Sequence, residues 1–197
     1  MGTRWERADA PKGDAYDARW SQMAAAGQDI HGEADLVGSL LEQIGGTRVL
    51  DAGCGTGRVA IELRRRGFET VGVDADTTML DTARRNDPDN EWIHADLADL
   101  GSHLVDDVFD VVAMAGNVMI FVHPGTEESV IAELARRLRP GGLLVAGFAL
   151  RPDRISLEEY DRCASSAGLA RFGRWATWDR LPFDGGDYAV SAHRRTG

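Results

Sequence analysis

Arg48-Val49-Leu50-Asp51-Ala52-Gly53-Cys54-Gly55-Thr56-Gly57 is the stretch whose reading decides the fold. A short apolar run ends on an acid and passes at once into three glycines at alternate positions. The run predicts a buried strand over Arg48 to Ala52, and the apolar spacing that follows predicts a helix from Gly57 to Arg66. Residues without a Cβ permit a tight turn and let backbone N–H groups approach a ligand closely. Strand, glycine turn and helix in this order occur in several nucleotide-binding folds. A dinucleotide fold would show Gly-x-Gly-x-x-Gly, but Arg58 stands where the last glycine would be, and Gly57 arrives one residue early. Asp51 places a carboxylate just before the turn, where it repels a pyrophosphate and suits a cationic amine. No Gly-Lys-Ser or Gly-Lys-Thr follows, which excludes a P-loop.

Working outward, the chain alternates short apolar runs with longer amphipathic segments, the pattern of a parallel sheet covered by helices on both faces. Strands are expected at Arg48 to Ala52, Glu69 to Asp74, Glu91 to Ala95, Phe109 to Ala115 and Leu143 to Phe148. Helices are expected at Gly57 to Arg66, Thr77 to Asn86 and from about Thr126, with a poorer connection over Leu97 to Val105. Arg139-Pro140-Gly141-Gly142 is expected to end the last of these helices. Before the first strand, helical spacing begins at Asp14 and again from Glu33 to Ile44, while Met1 to Lys12 reads as a loose arm. After Leu150 a helix over Ser156 to Ala167 opens on a possible capping box, Ser156 to Glu159. A β-hairpin follows, with Leu169 to Leu181 and Asp187 to His193 joined through Phe183-Asp184-Gly185-Gly186. The expected organisation is one α/β domain over 1–197: an arm and lid helices to 45, a ligand-binding core over 46–150, and a closing helix and hairpin over 151–197.

Of the 197 residues, 43% are hydrophobic and 27% charged, as in soluble globular domains. A formal net charge of -10 argues against a nucleic-acid surface, which needs clustered cations, and favours a small ligand. The clusters Arg64-Arg65-Arg66, Arg84-Arg85 and Arg136-Arg137 fall near predicted helix ends, where cations complement the dipole. With two cysteines, no secretory leader before Trp5 and no apolar stretch of bilayer length, the expectation is a cytoplasmic protein off the membrane, monomeric or homodimeric. The histidines are scattered, so no metal is expected.

Ligands of open α/β sheets bind outside the carboxyl ends of the strands. There the chain places Asp51, Asp74, Asp96 and Asn117, one per strand. Adjacent ends lie about 4.8 Å apart, so three of them span a nucleoside with an extension. Asp74, about twenty residues past the glycines, is placed to accept both ribose hydroxyls; Asp76 or Thr77 is the better cap for the following helix.

Val49 through Gly57 resembles the first motif of the class I S-adenosylmethionine-dependent methyltransferases, in particular small bacterial members. Val71-Gly72-Val73-Asp74 is similar to the family's second motif, His94-Ala95-Asp96-Leu97 to its third strand end, and Leu138 through Gly142 to the turn before its fifth strand. The resemblance implies a Rossmann-like, doubly wound seven-stranded sheet of order 3-2-1-4-5-7-6, with strand 7 antiparallel and lid helices at the N-terminus. It implies S-adenosyl-L-methionine as cofactor, with Gly53, Cys54, Gly55 and Gly57 beneath the methionine part and Asp51 near its amino group. Asp74 would bind the ribose hydroxyls beside Ala75, Asp96 and the Leu97 N–H would meet adenine, and Ala115 and Asn117 would line the side where the acceptor enters. Met79 reads as a cofactor contact or as an ordinary core methionine. Tyr16-Asp17-Ala18-Arg19-Trp20, followed by His31-Gly32-Glu33, looks like the family's lid, and Tyr16 either closes over the cofactor or packs on the sheet.

Methyl transfer from a sulfonium is an in-line displacement that needs positioning and exclusion of water more than a particular catalytic group. His31, Glu33, His94 and His123 are the candidate bases, with His123, just after the fourth strand, nearest the expected acceptor mouth. Trp175, Trp178 and Phe183 either wall an acceptor site or belong to the core. The expected function is methylation of a small-molecule acceptor. The alternatives are a non-catalytic binder of the cofactor or its demethylated product, and an NAD-dependent oxidoreductase.

Overall fold

The quoted apolar run forms β1 (Arg48–Ala52), which pairs on one side with β2 (Glu69–Asp74) and on the other with β4 (Phe109–Met114). The computed structural model describes residues 3–105 and 107–197. Before β1 come α1 (Asp14–Ala25) and α2 (Gly32–Ile44). After it the chain runs through α3 (Arg58–Arg65), β2, α4 (Thr77–Asn86), β3 (Glu91–His94), a 3-10 turn at Leu97–Ser102, β4, α5 (Val118–Phe121) and α6 (Glu127–Arg136). It ends with β5 (Leu138–Ala149), α7 (Leu157–Ser166), β6 (Leu169–Trp175) and β7 (Tyr188–Arg195). The sheet has the order β3-β2-β1-β4-β5-β7-β6; β1 to β5 are parallel, and β7 runs antiparallel to both its neighbours. The expected topology is the one observed. Among the described residues no helix is long and apolar enough to cross a membrane.

Side chains of a strand alternate between faces, so neighbouring apolar residues of β1 feed two different cores. Val49, with Val111 and Leu143 beside it in the sheet, packs under Val37, Leu40 and Leu41 of α2. Leu50, with Val71 and Val112, joins the opposite layer with Ile131 and Leu134 of α6 and Tyr160 of α7. Each such side chain, fully buried, contributes about 1.5–3 kcal/mol, and a one-residue slip of register would exchange the two sets. That register holds the carboxyl ends of β1, β2 and β4 side by side.

Helix starts follow their capping chemistry. Asp76 accepts the Thr78 N–H at 2.9 Å at the head of α4, as expected, and Ser156 accepts the Glu159 N–H at 3.1 Å at the head of α7. The Glu159 carboxylate turns to Arg162, so the capping box is half made. Two readings need correction. Arg139-Pro140-Gly141-Gly142 does not end the helix: α6 stops at Arg136, and the four residues form an irregularity inside β5, where pairing steps from Phe109↔Leu138 to Val111↔Leu143. Proline lacks a ladder donor and so sits where the pairing breaks. The amino-terminal segment is not loose over its described part. The Arg4 N–H donates to the Phe121 carbonyl at 2.9 Å, the Trp5 indole N–H to Asp76 at 3.0 Å, and Arg4 pairs with Glu127. Met1 and Gly2 lie outside the described residues. These docking contacts are polar and specific, so no apolar periodicity announced them.

Candidate cofactor site

Two of the three glycines of the turn are dictated by contact. At Gly53, φ is +80°, and a Cβ would fall 2.5 Å from Val118 at the head of α5. At Gly57, φ is +85°, and a Cβ would fall 2.5 Å from the Trp92 ring of β3. Both the left-handed backbone and the space therefore exclude other residues. Gly57 thus serves the packing of the turn on β3, whereas Gly53, Cys54 and Gly55 face a cavity at the carboxyl ends of the strands.

The acids meet in this cavity. Asp51, Asp74 and Asp96, from the ends of β1, β2 and β3, all line it. Asp51 is 1% exposed and accepts the Ala60 N–H at 3.1 Å from the first turn of α3. Burial pushes its carboxyl up to about 7, against the lowering effects of the Ala60 hydrogen bond and the Arg58 charge. The Asp74 carboxyl is also raised by burial, and each of its oxygens receives a backbone N–H at 2.8 Å, one from Gly55 and one from Asp76. Those bonds fix the carboxylate on the turn and leave each oxygen a further lone pair. Asp96 accepts the Ala98 N–H at 2.9 Å and caps the 3-10 turn that carries Leu97. Among the described residues the one cation in the lining, Arg58, is held by Glu33, so the cavity favours a positively charged ligand.

Of the remaining sequence candidates, Tyr16, Ala75, Met79, Leu97 and Ala115 line the same cavity. Met79 satisfies both of its readings: it is 3% exposed, and its sulfur accepts the Gly13 N–H at 3.1 Å while its side chain reaches the cavity. Tyr16 faces the cavity from α1, edge-on to Trp5 and Trp20. Asn117 stands apart from the lining. Its backbone is left-handed, its side-chain oxygen accepts the Ala149 N–H at 2.7 Å, and its neighbours Gly116 and Val118 face the cavity instead.

None of the four candidate bases lines the cavity. His31 sits at the head of α2 near Glu62, His94 contacts the Ala75 carbonyl, and His123 contacts the Pro124 carbonyl; Glu33 is bound to Arg58. Trp175 and Trp178 pack against the α2 layer of the core, Trp178 donating to the Tyr188 hydroxyl at 2.9 Å, and Phe183 is half-buried outside the lining.

Sequence reading missed Thr3, Trp5, Thr56 and Phe121. Thr56 had a signal, being inside the turn. It is 1% exposed, and its hydroxyl is buried with no hydrogen-bond partner among the described residues. A polar atom buried without a partner is costly, and a ligand able to hydrogen-bond it relieves that cost. With three acids at the strand ends, this orphaned hydroxyl fits a cationic, hydrogen-bonding nucleoside ligand. Trp5 and Phe121, paired edge-on at 5.4 Å, had no signal.

Residues 49–142 match a family model described as a methyltransferase domain. The crystal structure of a TehB-like S-adenosylmethionine-dependent methyltransferase from Corynebacterium glutamicum is 32% identical, with a TM-score of 0.82 over 92% of this chain and 96% of that one. Among curated relatives, the cypemycin N-terminal methyltransferase of a Streptomyces species is 38% identical over 100 residues, covering 49% of this chain and 40% of the relative. The demethylmenaquinone methyltransferase of Clavibacter sepedonicus is 33% identical over 122 residues, covering 60% and 48%. The chain thus spans less than half the length of these two curated relatives. Likeness to the corynebacterial protein over nearly its whole length, on a sheet of the same order that the motifs implied, settles the kinship: the chain belongs to the class I S-adenosylmethionine-dependent methyltransferases.

Proposed function

We propose that the protein transfers the methyl group of S-adenosyl-L-methionine to a small-molecule acceptor. The observation that carries the reading is the convergence of Asp51, Asp74 and Asp96 from three adjacent strand ends on one cavity floored by Gly53 and Gly55. When bound, the cofactor would supply a methyl on a sulfonium sulfur, which a nucleophile attacks in line at carbon while the S–CH3 bond breaks and the thioether leaves with the electron pair. Asp51 would pair with the amino group of the methionine part, Asp74 would accept the ribose hydroxyls beside Ala75, and Asp96 with the Leu97 N–H would address adenine. Thr56 adds a hydroxyl at the turn. Tyr16, Ala115 and Gly116 also line the cavity, and their aromatic and small surfaces would exclude water from the approaching nucleophile.

The two curated relatives carry different acceptors in their names, so neither is transferred to this chain. A small acceptor is favoured by the net charge of -10, which opposes nucleic acid, and by the concave, partly apolar cavity mouth.

The test has two steps. Calorimetry with S-adenosylmethionine, S-adenosylhomocysteine and NAD should show binding of the first two only. Methyl-labelled cofactor incubated with an acceptor panel should then yield labelled product. Cofactor binding with no product from any acceptor would support a non-catalytic binder, and NAD binding instead would overturn the assignment of the cavity.

A further inference from the structure

Arg58 stands where a dinucleotide-binding turn has its last glycine, and it is the first residue of α3. A cation at that end opposes the helix dipole, and α3 has no acid in its first turn to offset it. A local electrostatic rule broken in a site wall marks a residue kept for another task. The side chain, 12% exposed, is fully engaged. Its two terminal nitrogens form a fork with Glu33 of α2 at 3.0 and 2.7 Å, one of them also donates to the Ile30 carbonyl in the link between α1 and α2, and the guanidinium lies 3.9 Å from the Trp20 ring centre on α1.

These partners matter because α1 has no buried residue. Its first half is tied to buried Thr82 and exposed Arg85 of α4 by Asp14, to Asn86 by Asp17, to Met79 by the Gly13 N–H just before it, and to Trp5 by the Tyr16 ring. Its second half meets the cofactor turn through Trp20 on Arg58. A planar guanidinium can make a fork and a stack at once, and a lysine cannot.

We propose that Arg58 is the positioning residue that latches the α1–α2 lid onto the glycine turn, holding Tyr16 over the cavity mouth so that bound cofactor is retained. The proposal rests on the reading of the cavity as the cofactor site.

The test compares the wild-type chain with Arg58→Met, Arg58→Lys and Trp20→Leu. The probe is S-adenosylhomocysteine, with stopped-flow binding and hydrogen exchange of residues 14–25. The Met variant should speed exchange in α1 and raise the dissociation rate about tenfold or more while the association rate changes little. Lysine should fail to restore either property, because it keeps the charge beside Asp51 but loses the fork and stack. Trp20→Leu, which leaves the turn untouched and guards against a folding defect at Arg58, should reproduce both effects. Unchanged exchange and dissociation in the Met and Leu variants, or full rescue by lysine, would overturn the latch while leaving the cofactor site in place. A wild-type chain that does not bind the probe would overturn the site and the latch together.

Discussion

Asp51 is the residue at which burial and function pull hardest against each other, and Asp51→Asn separates them. The carboxyl rises from an unfolded value of 3.8 to about 7 in the folded chain. Between these values the folded chain holds a proton that the unfolded chain has released, so stability falls as pH rises from about 4 to 7, and the penalty is fully present above 7. Three units correspond to at most about 4 kcal/mol. Asparagine keeps an oxygen for the Ala60 N–H but gives up the attraction of Arg58, so roughly half of that, about 2 kcal/mol, should appear as a gain in the cofactor-free variant at pH 8. For a chain of this size the midpoint of thermal unfolding should rise by roughly 4–8 °C, with little change at pH 4. The same substitution should weaken cofactor binding. At pH 7 the wild-type carboxyl is about half protonated, and pairing with a cationic amine should expel up to about half a proton per cofactor bound. Calorimetry in buffers of differing ionisation heat reads that number directly, and the variant should expel none. A variant no more stable than wild type at pH 8, or a wild-type chain that releases no proton at pH 7, would refute the reasoning.

Asp74→Ala should weaken S-adenosylmethionine binding by about 1.5–3 kcal/mol in calorimetry, since charge-assisted hydrogen bonds are lost. Because Asp74 also receives the Gly55 N–H, Asp74→Asn, which keeps an acceptor oxygen, should retain more of the affinity, and equal losses in the two variants would assign the whole effect to the charge. Gly53→Ala forces a Cβ into Val118 from a left-handed backbone and should cost about 1–3 kcal/mol of stability in denaturant titration; a neutral effect would show that α5 gives way. His193 is buried, its Nε2–H donates to Asp161 at 3.0 Å, and desolvation together with Arg174 and Arg171 lowers its pKa in spite of Asp161. The folded chain therefore resists the proton, and stability should fall as pH drops below about 6.5. His193→Gln should flatten that dependence relative to wild type in urea titrations at pH 7 and pH 5.5, and parallel curves would clear His193 of the effect.

The strands, the turn and the three acids were legible because each leaves a local mark: apolar runs of strand length, glycines at fixed spacing, an acid at a strand's end; the order of the strands followed from the family resemblance alone. Eleven of the thirteen residues expected at the cofactor line one cavity. The two that do not are informative. Gly57 is a glycine for the sake of Trp92, whose approach from β3 is a long-range fact, and Asn117 turns its amide to Ala149 on β5, a partner 32 residues away. Thr3 and Trp5 reach the cavity through polar contacts with Asp76, Phe121 and Thr3's own turn, so neither period nor motif marks them. Arg139 through Gly142 read as a helix stop for sound local reasons, yet an irregular strand tolerates proline and glycine equally well once β4 is there to pair with it.

The acids at the strand ends also explain a feature of the energetics. Burial raises Asp51 and Asp74, and the charge of Asp74 adds to the cost at Asp51, so the cofactor-free chain carries strain that packing must offset. A folded chain could lower that strain by placing a permanent cation among the acids. Among the described residues the one guanidinium in the lining, Arg58, attracts Asp51 but commits its hydrogen bonds to Glu33 and Ile30 and its face to Trp20. The cavity's negative potential is thereby left for the ligand to neutralise, and a ligand that does so is bound more tightly for the same contacts. It follows that the product should be held less firmly than the cofactor at the sulfur end, because loss of the methyl removes the sulfonium charge while every other contact remains. Competition between S-adenosylmethionine and S-adenosylhomocysteine at low and high salt tests this step: the preference for the methylated form should shrink as salt screens the acids, and a salt-independent ratio would assign the preference to shape alone.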